Sequence, residues 1–179
     1  MRKTLAIVAI FICIGAYYYY ININKNNSIS KEKKLNEFDK IIELASENKE
    51  FENPDELIIR NNRIISYLYG GKAKLEEVET LINIQRNLFD SELLNINPLE
   101  LQQEKVKVFV EDYKEKGFRI IDIKQTPAQY KDENPNISRI RVIQYTNGET
   151  DNYLEYYLRK QVNDTWKILG WETIDEFDI

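Results

Sequence analysis

The sequence contains no histidine and only one cysteine. Without histidine, the chain has no imidazole that could serve as a general base, a metal ligand or a sensor of mildly acidic pH. The single cysteine, Cys13, can form no intramolecular disulfide and belongs to no zinc-binding set. These absences predict no catalytic residue, no cofactor and no metal site, and we therefore expect a protein that is not an enzyme.

A long basic stripe is also absent. The 25 lysines and arginines are outnumbered by 30 aspartates and glutamates, which gives a formal net charge of -5. Proteins that bind nucleic acid carry the opposite balance, so we expect no nucleic-acid partner. No P-loop, dinucleotide-binding fingerprint or Gly-x-Ser-x-Gly sequence is present. The acidic residues near the C-terminus lack the pattern of an EF-hand, and residues 175–179 are predicted to be a solvated acidic tail.

An uncharged run over residues 4–21 follows the basic pair Arg2 and Lys3. Its length is close to the ~20 apolar residues that cross a bilayer as a helix. The basic pair favours a cytoplasmic N-terminus, and the tyrosines at 17–20 resemble an aromatic belt at the far interface. The run predicts a transmembrane helix that anchors a single-pass protein in the cell membrane, with the C-terminal domain outside the cytoplasm. A cleaved signal peptide is the alternative, because small residues near the end of the run also fit that pattern.

A polar, asparagine-rich stretch over residues 22–29 is the predicted linker to a domain over residues 30–174. Apolar residues recur at helical spacing after Ser30, which is a good N-cap, so the first helix is predicted to begin there. A similar apolar stripe begins near Lys72 and continues to Phe89.

Two Asn-Pro-x-Glu sequences mark further helix starts, at Asn53 and at Asn97. Asparagine caps a helix well, and proline is favoured at the first helical position. The helix that begins near Asn97 is predicted to end at Gly117, since glycine can adopt the left-handed conformation that closes a helix.

The second half of the chain changes to the period of two that is typical of strands. The sharpest example is the stretch Tyr153 to Trp171, where Leu154, Tyr156, Leu158 and Val162 share one face. Turn residues at 163–164 predict that this stretch is a hairpin. Both tryptophans lie on its return strand, so we expect the core to close at Trp166 and Trp171. The element order predicts an α+β domain with about three helices packed on a curved antiparallel sheet of about four strands.

Helices followed by an antiparallel meander that ends in Trp-Lys-Ile-Leu-Gly-Trp, at 166–171, resemble the NTF2-like (cystatin-like) fold. The resemblance extends over roughly residues 30–171. The short N-terminal apolar segment, the sequence Leu-Phe-Asp-Ser-Glu-Leu-Leu-Asn-Ile-Asn-Pro at 88–98 and the final strand are also similar to small anchored proteins of clostridia and their relatives, the DUF6715 type. That family has no established activity, so the resemblance implies a membrane address and a fold and leaves the function open.

Tyrosines are the main candidates for lining a cone-shaped cavity in such a domain. Their hydroxyls could orient a ligand, although tyrosines more often lie at the edge of a core with their hydroxyls in water. The candidate pocket or binding residues are Tyr67, Tyr69, Arg86, Tyr113, Tyr145, Tyr156 and Trp171.

Asp90 and Glu92 form a carboxylate pair that could perform acid-base work if its site raised one pKa. Capping is the simpler interpretation, because Asp90 precedes a sequence that looks like a helix start. Arg86 could then pair with Asp90 across one helical turn.

These observations lead us to expect a membrane-anchored extracytoplasmic domain that binds another envelope protein or a small ligand without catalysis. The alternative is a small NTF2-like enzyme that uses carboxylates and tyrosines, which would require a buried acid without a basic partner. A third possibility is a module that recognises a peptide along an exposed sheet edge.

Overall fold

The computed structural model of the chain describes residues 35–47, 49–131 and 133–179. The predicted anchor at 4–21, the linker at 22–29 and the first residues of the predicted domain lie outside these ranges. In the part of the chain that is described, no helix combines the length and the apolar character that a bilayer crossing requires.

The described chain is an α+β domain with five helices followed by five strands. The predicted class is confirmed, but the predicted numbers of about three helices and about four strands are too low. The helices are α1 (Glu37–Ser46), α2 (Pro54–Tyr69), α3 (Leu75–Arg86), α4 (Ser91–Ile96) and α5 (Leu99–Glu115). The strands are β1 (Ile120–Gln125), β2 (Gln129–Lys131), β3 (Asn134–Thr146), β4 (Asn152–Lys160) and β5 (Trp166–Thr173).

The two Asn-Pro sequences begin helices, as predicted. At the first, the side chain of Asn53 accepts a hydrogen bond from the backbone N–H of Asp55 at 2.8 Å, and Pro54 is the first residue of α2. At the second, α5 begins at Leu99, and Pro98 takes the N-cap position without a side-chain hydrogen bond, so the prediction that Asn97 caps this helix is wrong. Both starts use a proline where its missing N–H costs nothing, because the first turn of a helix has no acceptor for that group.

The first described helix begins later than predicted. Leu35 and Asn36 are not helical and α1 starts at Glu37, so the prediction of a continuous helix from Ser30 is wrong. The local sequence explains this start, because asparagine is favoured immediately before a helix and acidic residues, here Glu37 and Asp39, are favoured in its first turn.

The helical stripe predicted to continue to Phe89 stops three residues earlier, at Arg86. Leu88 and Phe89 instead run beside strand β5, where the N–H of Ile168 donates to the carbonyl of Leu88 at 2.8 Å and the N–H of Asp90 donates to the carbonyl of Ile168 at 2.8 Å. These two apolar residues are therefore buried by strand-like pairing. Their spacing matched a helix, but pairing with a distant strand outweighs that local preference.

The sheet is antiparallel and has the order β1-β3-β4-β5, with β2 also paired to β3. Strands β4 and β5 form the predicted hairpin. Asp164 adopts a left-handed conformation, with φ 64°, in the turn between them. Asparagine and aspartate tolerate this conformation better than other residues with a side chain, which is why the turn at 163–164 could be predicted.

The core lies between the helices and one face of the sheet. Its fully buried side chains include Leu57, Ile58, Ile64, Val78, Leu81, Ile82, Ile140, Val142, Leu158 and Ile168. Trp166 belongs to this core and is 3% exposed, whereas Trp171 is 44% exposed, so the prediction that both tryptophans close the core is wrong for Trp171. Val162 was also predicted to be inward, but it lies in the turn and is fully exposed.

A β-bulge places Trp171 on the same, core-facing side of the sheet as Trp166, so the difference in exposure follows from their positions along β5. The register between β4 and β5 shifts between Tyr157 and Leu158, so that Leu158 pairs with Ile168 while Tyr156 pairs with Trp171. A bulge inserts one residue and bends its strand. Trp171 still stacks on the buried ring of Tyr156, at 5.8 Å between ring centroids, but it lies at the open end of the sheet.

Candidate functional site

A cavity of about 320 Å³ lies between α2, α3 and α5 on one side and the core-facing side of the sheet on the other. Side chains from all these elements line it, and they are mostly aromatic rings, aliphatic groups and carboxamides. The volume lies at the lower end of the range for pockets that enclose a small organic ligand. This cavity is therefore the candidate binding site.

Two aromatic pairs form opposite parts of the wall. Tyr69 of α2 and Tyr113 of α5 have their ring centroids 5.4 Å apart, and Tyr156 of β4 stacks on Trp171 of β5. Burial raises the pKa of Tyr69 to about 12, and it also raises the pKa of Tyr156 well above its ordinary range. Both hydroxyls thus stay protonated at neutral pH and can donate a hydrogen bond.

Carboxamides supply the polar part of the lining. Gln85 donates from Nε2 to Oδ1 of Asn61 at 2.9 Å, and Asn61 donates from Nδ2 to the hydroxyl of Tyr156 at 3.4 Å. All three side chains are buried. A connected row of neutral donors and acceptors can orient a ligand without the cost of burying a charge.

A second set of amides lies where α5 begins. Oε1 of Gln102 accepts from Nη1 of Arg86 at 2.8 Å and from Nδ2 of Asn97 at 3.0 Å. Arg86 also donates to the backbone carbonyl of Asn97 at 2.7 Å. Arg86 therefore fixes the position of two lining residues from behind, and it is not itself part of the lining.

The structure brings four of the seven predicted pocket residues together and places three elsewhere. The four that line the cavity are Tyr69, Tyr113, Tyr156 and Trp171. Tyr67 instead donates from its hydroxyl to Glu77 at 2.8 Å. The ring of Tyr145 lies 5.4 Å from Nζ of Lys124, outside the lining.

Sequence reasoning missed the carboxamides Asn61, Gln85, Gln102 and Gln144, all of which are buried lining residues. One signal was available. Gln85 falls on the apolar stripe of α3, where a polar side chain must be buried with a partner. A glutamine at such a position predicts a polar site in the core, although its partners are apparent only from the fold.

Asp90 acts as a cap and as one half of an ion pair. Its Oδ1 accepts from the backbone N–H of Glu92 at 2.9 Å at the start of α4, and its Oδ2 accepts from Nε of Arg159 at 2.9 Å and from Nε2 of Gln161 at 2.9 Å. The capping prediction is confirmed, but the predicted pairing with Arg86 is wrong. Arg159 of β4 takes that place, because the docking of Leu88 and Phe89 on β5 brings Asp90 to the hairpin.

Glu155 is the other buried carboxylate in the described ranges. Its neighbour in β4, Tyr156, faces the core, so Glu155 lies on the opposite face of the sheet. There it accepts from Nε of Arg141 at 2.9 Å and from the hydroxyl of Tyr157 at 2.9 Å. Neither Glu155 nor Asp90 lines the cavity, and both have a basic partner, so neither is the unpaired buried acid that the enzyme alternative requires.

The pKa of each buried carboxyl is lowered. Burial is the largest single cause and raises the pKa of Glu155 and of Asp90. Several weaker interactions together outweigh it and hold each pKa below its ordinary range: those with Arg141, Tyr157 and Arg139 for Glu155, and those with Arg159, Gln161 and the N–H of Glu92 for Asp90. A carboxyl with a lower pKa in the folded state stabilises the fold above its unfolded pKa, and that contribution is lost as the pH falls below about 4.

Replacing Glu155 with glutamine should therefore flatten the dependence of stability on acid pH. The wild-type chain is expected to lose more free energy of unfolding than Glu155→Gln as the pH falls from about 6 to about 3, because only the wild type has this carboxylate to protonate. Urea unfolding curves at several pH values measure both slopes. Equal slopes would contradict the ion pair with Arg141.

The sheet edge at β5 is partly covered. The N–H of Trp166 donates to the carbonyl of Phe51 at 2.7 Å, and Ile168 pairs with the chain at 88–90.

Within the described residues, no group of three or more acidic or cysteine side chains is placed to hold a metal ion.

A search of curated protein sequences found no match to this chain. The sequence profile of the family described as "Domain of unknown function (DUF6715)" matches residues 1–171. That match extends over nearly all of the 179 residues and includes both the segment at 88–98 and residues 166–171 of the return strand β5. The chain therefore belongs to the DUF6715 family.

Proposed function

We propose that this protein is a membrane-anchored module whose domain has an NTF2-like (cystatin-like) fold, lies outside the cytoplasm and binds a small ligand without catalysis. The order of helices and then antiparallel strands, with a cavity between the two layers, supports the fold assignment. The apolar run at residues 4–21 supports the anchor.

The observation that carries the proposed binding function is the chemistry of the cavity wall. Aromatic rings and carboxamides dominate it, and Lys105 is the single charged side chain among the described lining residues. Such a wall suits an uncharged, planar molecule with an amide or hydroxyl group. This lining favours a small ligand over another envelope protein, the other binding partner predicted from the sequence.

Two exposed aromatic side chains would meet a ligand first. Phe109 of α5 is 52% exposed and Trp171 of β5 is 44% exposed, and both line the cavity. Exposed aromatic rings at a cavity entrance contribute contact area without large losses of conformational entropy, because each has only two side-chain torsions to fix.

The ligand proposal can be tested with 4-fluorobenzamide, an aromatic amide of suitable size. In fluorine NMR of the full chain in detergent micelles, its resonance should broaden on binding. Trp171→Ala should weaken binding by about threefold to tenfold, because one stacking surface is removed. The matched control is Tyr130→Ala, since Tyr130 is 55% exposed and lies outside the lining. Equal affinity of Trp171→Ala and the unaltered chain would exclude this cavity as the site.

The anchor proposal has its own test. In cells, the full chain should stay with the membrane after alkaline carbonate extraction, and protease added to intact protoplasts should digest the domain that follows residue 29. Release of the unprocessed chain by carbonate, or protection of the domain, would contradict the proposed location.

A further inference from the structure

A second cavity, of about 340 Å³, lies between the end of α1, residues 49–51, α2, the end of α3 and β5. It shares no lining residue with the first cavity. Its apolar lining comprises Leu44, Ala45, Phe51, Ile84 and Leu88, and its charged lining comprises Lys49, Glu50, Arg60 and Lys167. Three cations and one carboxylate thus line the same space.

Arg60 is the unusual member of this lining. Its Nη1 atom is buried and has no hydrogen-bond partner. In the described part of the chain, Arg63, Arg141 and Arg159 form ion pairs with carboxylates, whereas no carboxylate lies within ion-pairing distance of Arg60. The buried Nη1 atom has lost water without gaining a partner, which is costly, whereas the side chain as a whole is only partly buried and its other donors remain accessible.

Burial is also the main cause that lowers the pKa of the Arg60 guanidinium. The carboxylate of Glu47 attracts this group, but it is too distant to form a hydrogen bond with it. The guanidinium lies over the ring of Phe51, with Cζ 6.0 Å from the ring centroid. Arg60 is therefore held by packing, which leaves donors for an anion.

The other charged groups of the lining already have partners. Lys49 pairs with Glu56 at 2.6 Å, and Lys167 donates to the carbonyl of Asn87 at 2.6 Å. Glu50, the one acid of the lining, accepts from Nδ2 of Asn163 at 3.2 Å. Lys167 and Glu50 have neutral partners and opposite charges, so the lining keeps a net positive charge, and Arg60 is the cation in it with a buried donor that has no acceptor.

We propose that this second cavity binds a small organic monocarboxylate, with the carboxylate at Arg60 and the hydrocarbon part against Phe51, Ile84 and the other apolar lining. An arginine fork matches the two oxygens of a carboxylate, which makes it more selective than a lysine for this group. The site is distinct from the aromatic cavity, so the proposal goes beyond the function proposed above and does not depend on it.

The test uses hexanoate and its neutral isostere hexanamide, titrated by calorimetry into the full chain in detergent micelles. Hexanoate should bind at least about tenfold more tightly than hexanamide, because only hexanoate supplies the negatively charged partner that the Arg60 guanidinium lacks. Inorganic phosphate should bind more weakly than hexanoate, because it cannot use the apolar walls. Absence of binding by hexanoate, or equal affinity for hexanoate and either comparison ligand, would overturn the proposal.

Variants locate the site. Arg60→Gln should weaken hexanoate binding by about tenfold or more. The melting temperature of this variant should be no lower than that of the unaltered chain, since the substitution removes a partly buried charge that has no ion-pair partner. Arg119→Gln, at an exposed arginine outside this lining, should bind hexanoate like the unaltered chain. Trp171→Ala should also retain hexanoate binding, because Trp171 lines only the first cavity. Undiminished binding by Arg60→Gln, or lost binding by Trp171→Ala, would refute the assignment to this cavity.

Discussion

Replacing Asp90 with alanine should destabilise the fold by about 3 kcal/mol, since it breaks a buried ion pair and removes a helix cap. Asp90 is 1% exposed and accepts hydrogen bonds from Arg159, Gln161 and the N–H of Glu92. We expect the lower end of the range for buried pairs, because Arg159 is partly exposed and also contacts Glu92 at 2.7 Å. Urea unfolding of the full chain, followed by tryptophan fluorescence, measures the loss.

The matched control for Asp90→Ala is Glu92→Gln. Glu92 pairs with the same arginine, but its side chain is 65% exposed, so its contribution should be at most about 1 kcal/mol. If Asp90→Ala costs no more than Glu92→Gln, the two carboxylates are equivalent and the burial of Asp90 has no energetic role.

The two tryptophans of β5 should differ sharply when each is changed to alanine. Trp166→Ala should cost about 4 kcal/mol, because Trp166 is 3% exposed and its loss leaves a large void in the core. Trp171→Ala should cost about 1 kcal/mol, because Trp171 is 44% exposed and loses mainly its stacking on Phe89 and Tyr156. Far-UV circular dichroism in urea measures both, since it does not depend on either indole. Equal losses would contradict the difference in burial between the two rings.

Local chemistry explains which parts of the fold were predictable. The helix start at Asn53 and the turn at Asp164 each depend on residues within a few positions, and each side chain has a conformational preference of its own. The hairpin between β4 and β5 follows from alternation on both sides of that turn.

Partners that are distant in the sequence explain the predictions that failed. The pair between Asp90 and Arg159 joins residues 69 positions apart, and nothing near Asp90 distinguishes Arg159 from the closer Arg86. Leu88 and Phe89 keep helical spacing, yet they bury their side chains against a strand. The bulge that turns Trp171 to the core-facing side of the sheet is a property of the register between two strands, which alternation within one strand cannot reveal.

The candidate site was predicted in its aromatic part only. Tyrosine and tryptophan attract attention in any sequence, and four of those named line the cavity. The carboxamides lie on three separate helices and a strand, and they come together only when the chain folds, so the sequence alone could not show that they share a cavity. The cation at Arg60 was not singled out, because an arginine on a helix is normally solvated and its isolation is a three-dimensional property.

The pairing of residues 88–90 with Ile168 limits edge-to-edge association between copies of this protein through β5. The unpaired backbone groups of an exposed edge strand can form hydrogen bonds with a strand of a second molecule and so lead to aggregation. In β5, some of these groups are already paired with residues 88–90 of the same chain. Only the stretch Gly170 to Thr173 extends beyond the occupied part of β5, and it ends in the charged and polar side chains of Glu172 and Thr173. Part of this strand edge is thus blocked by the chain itself against pairing with a second copy.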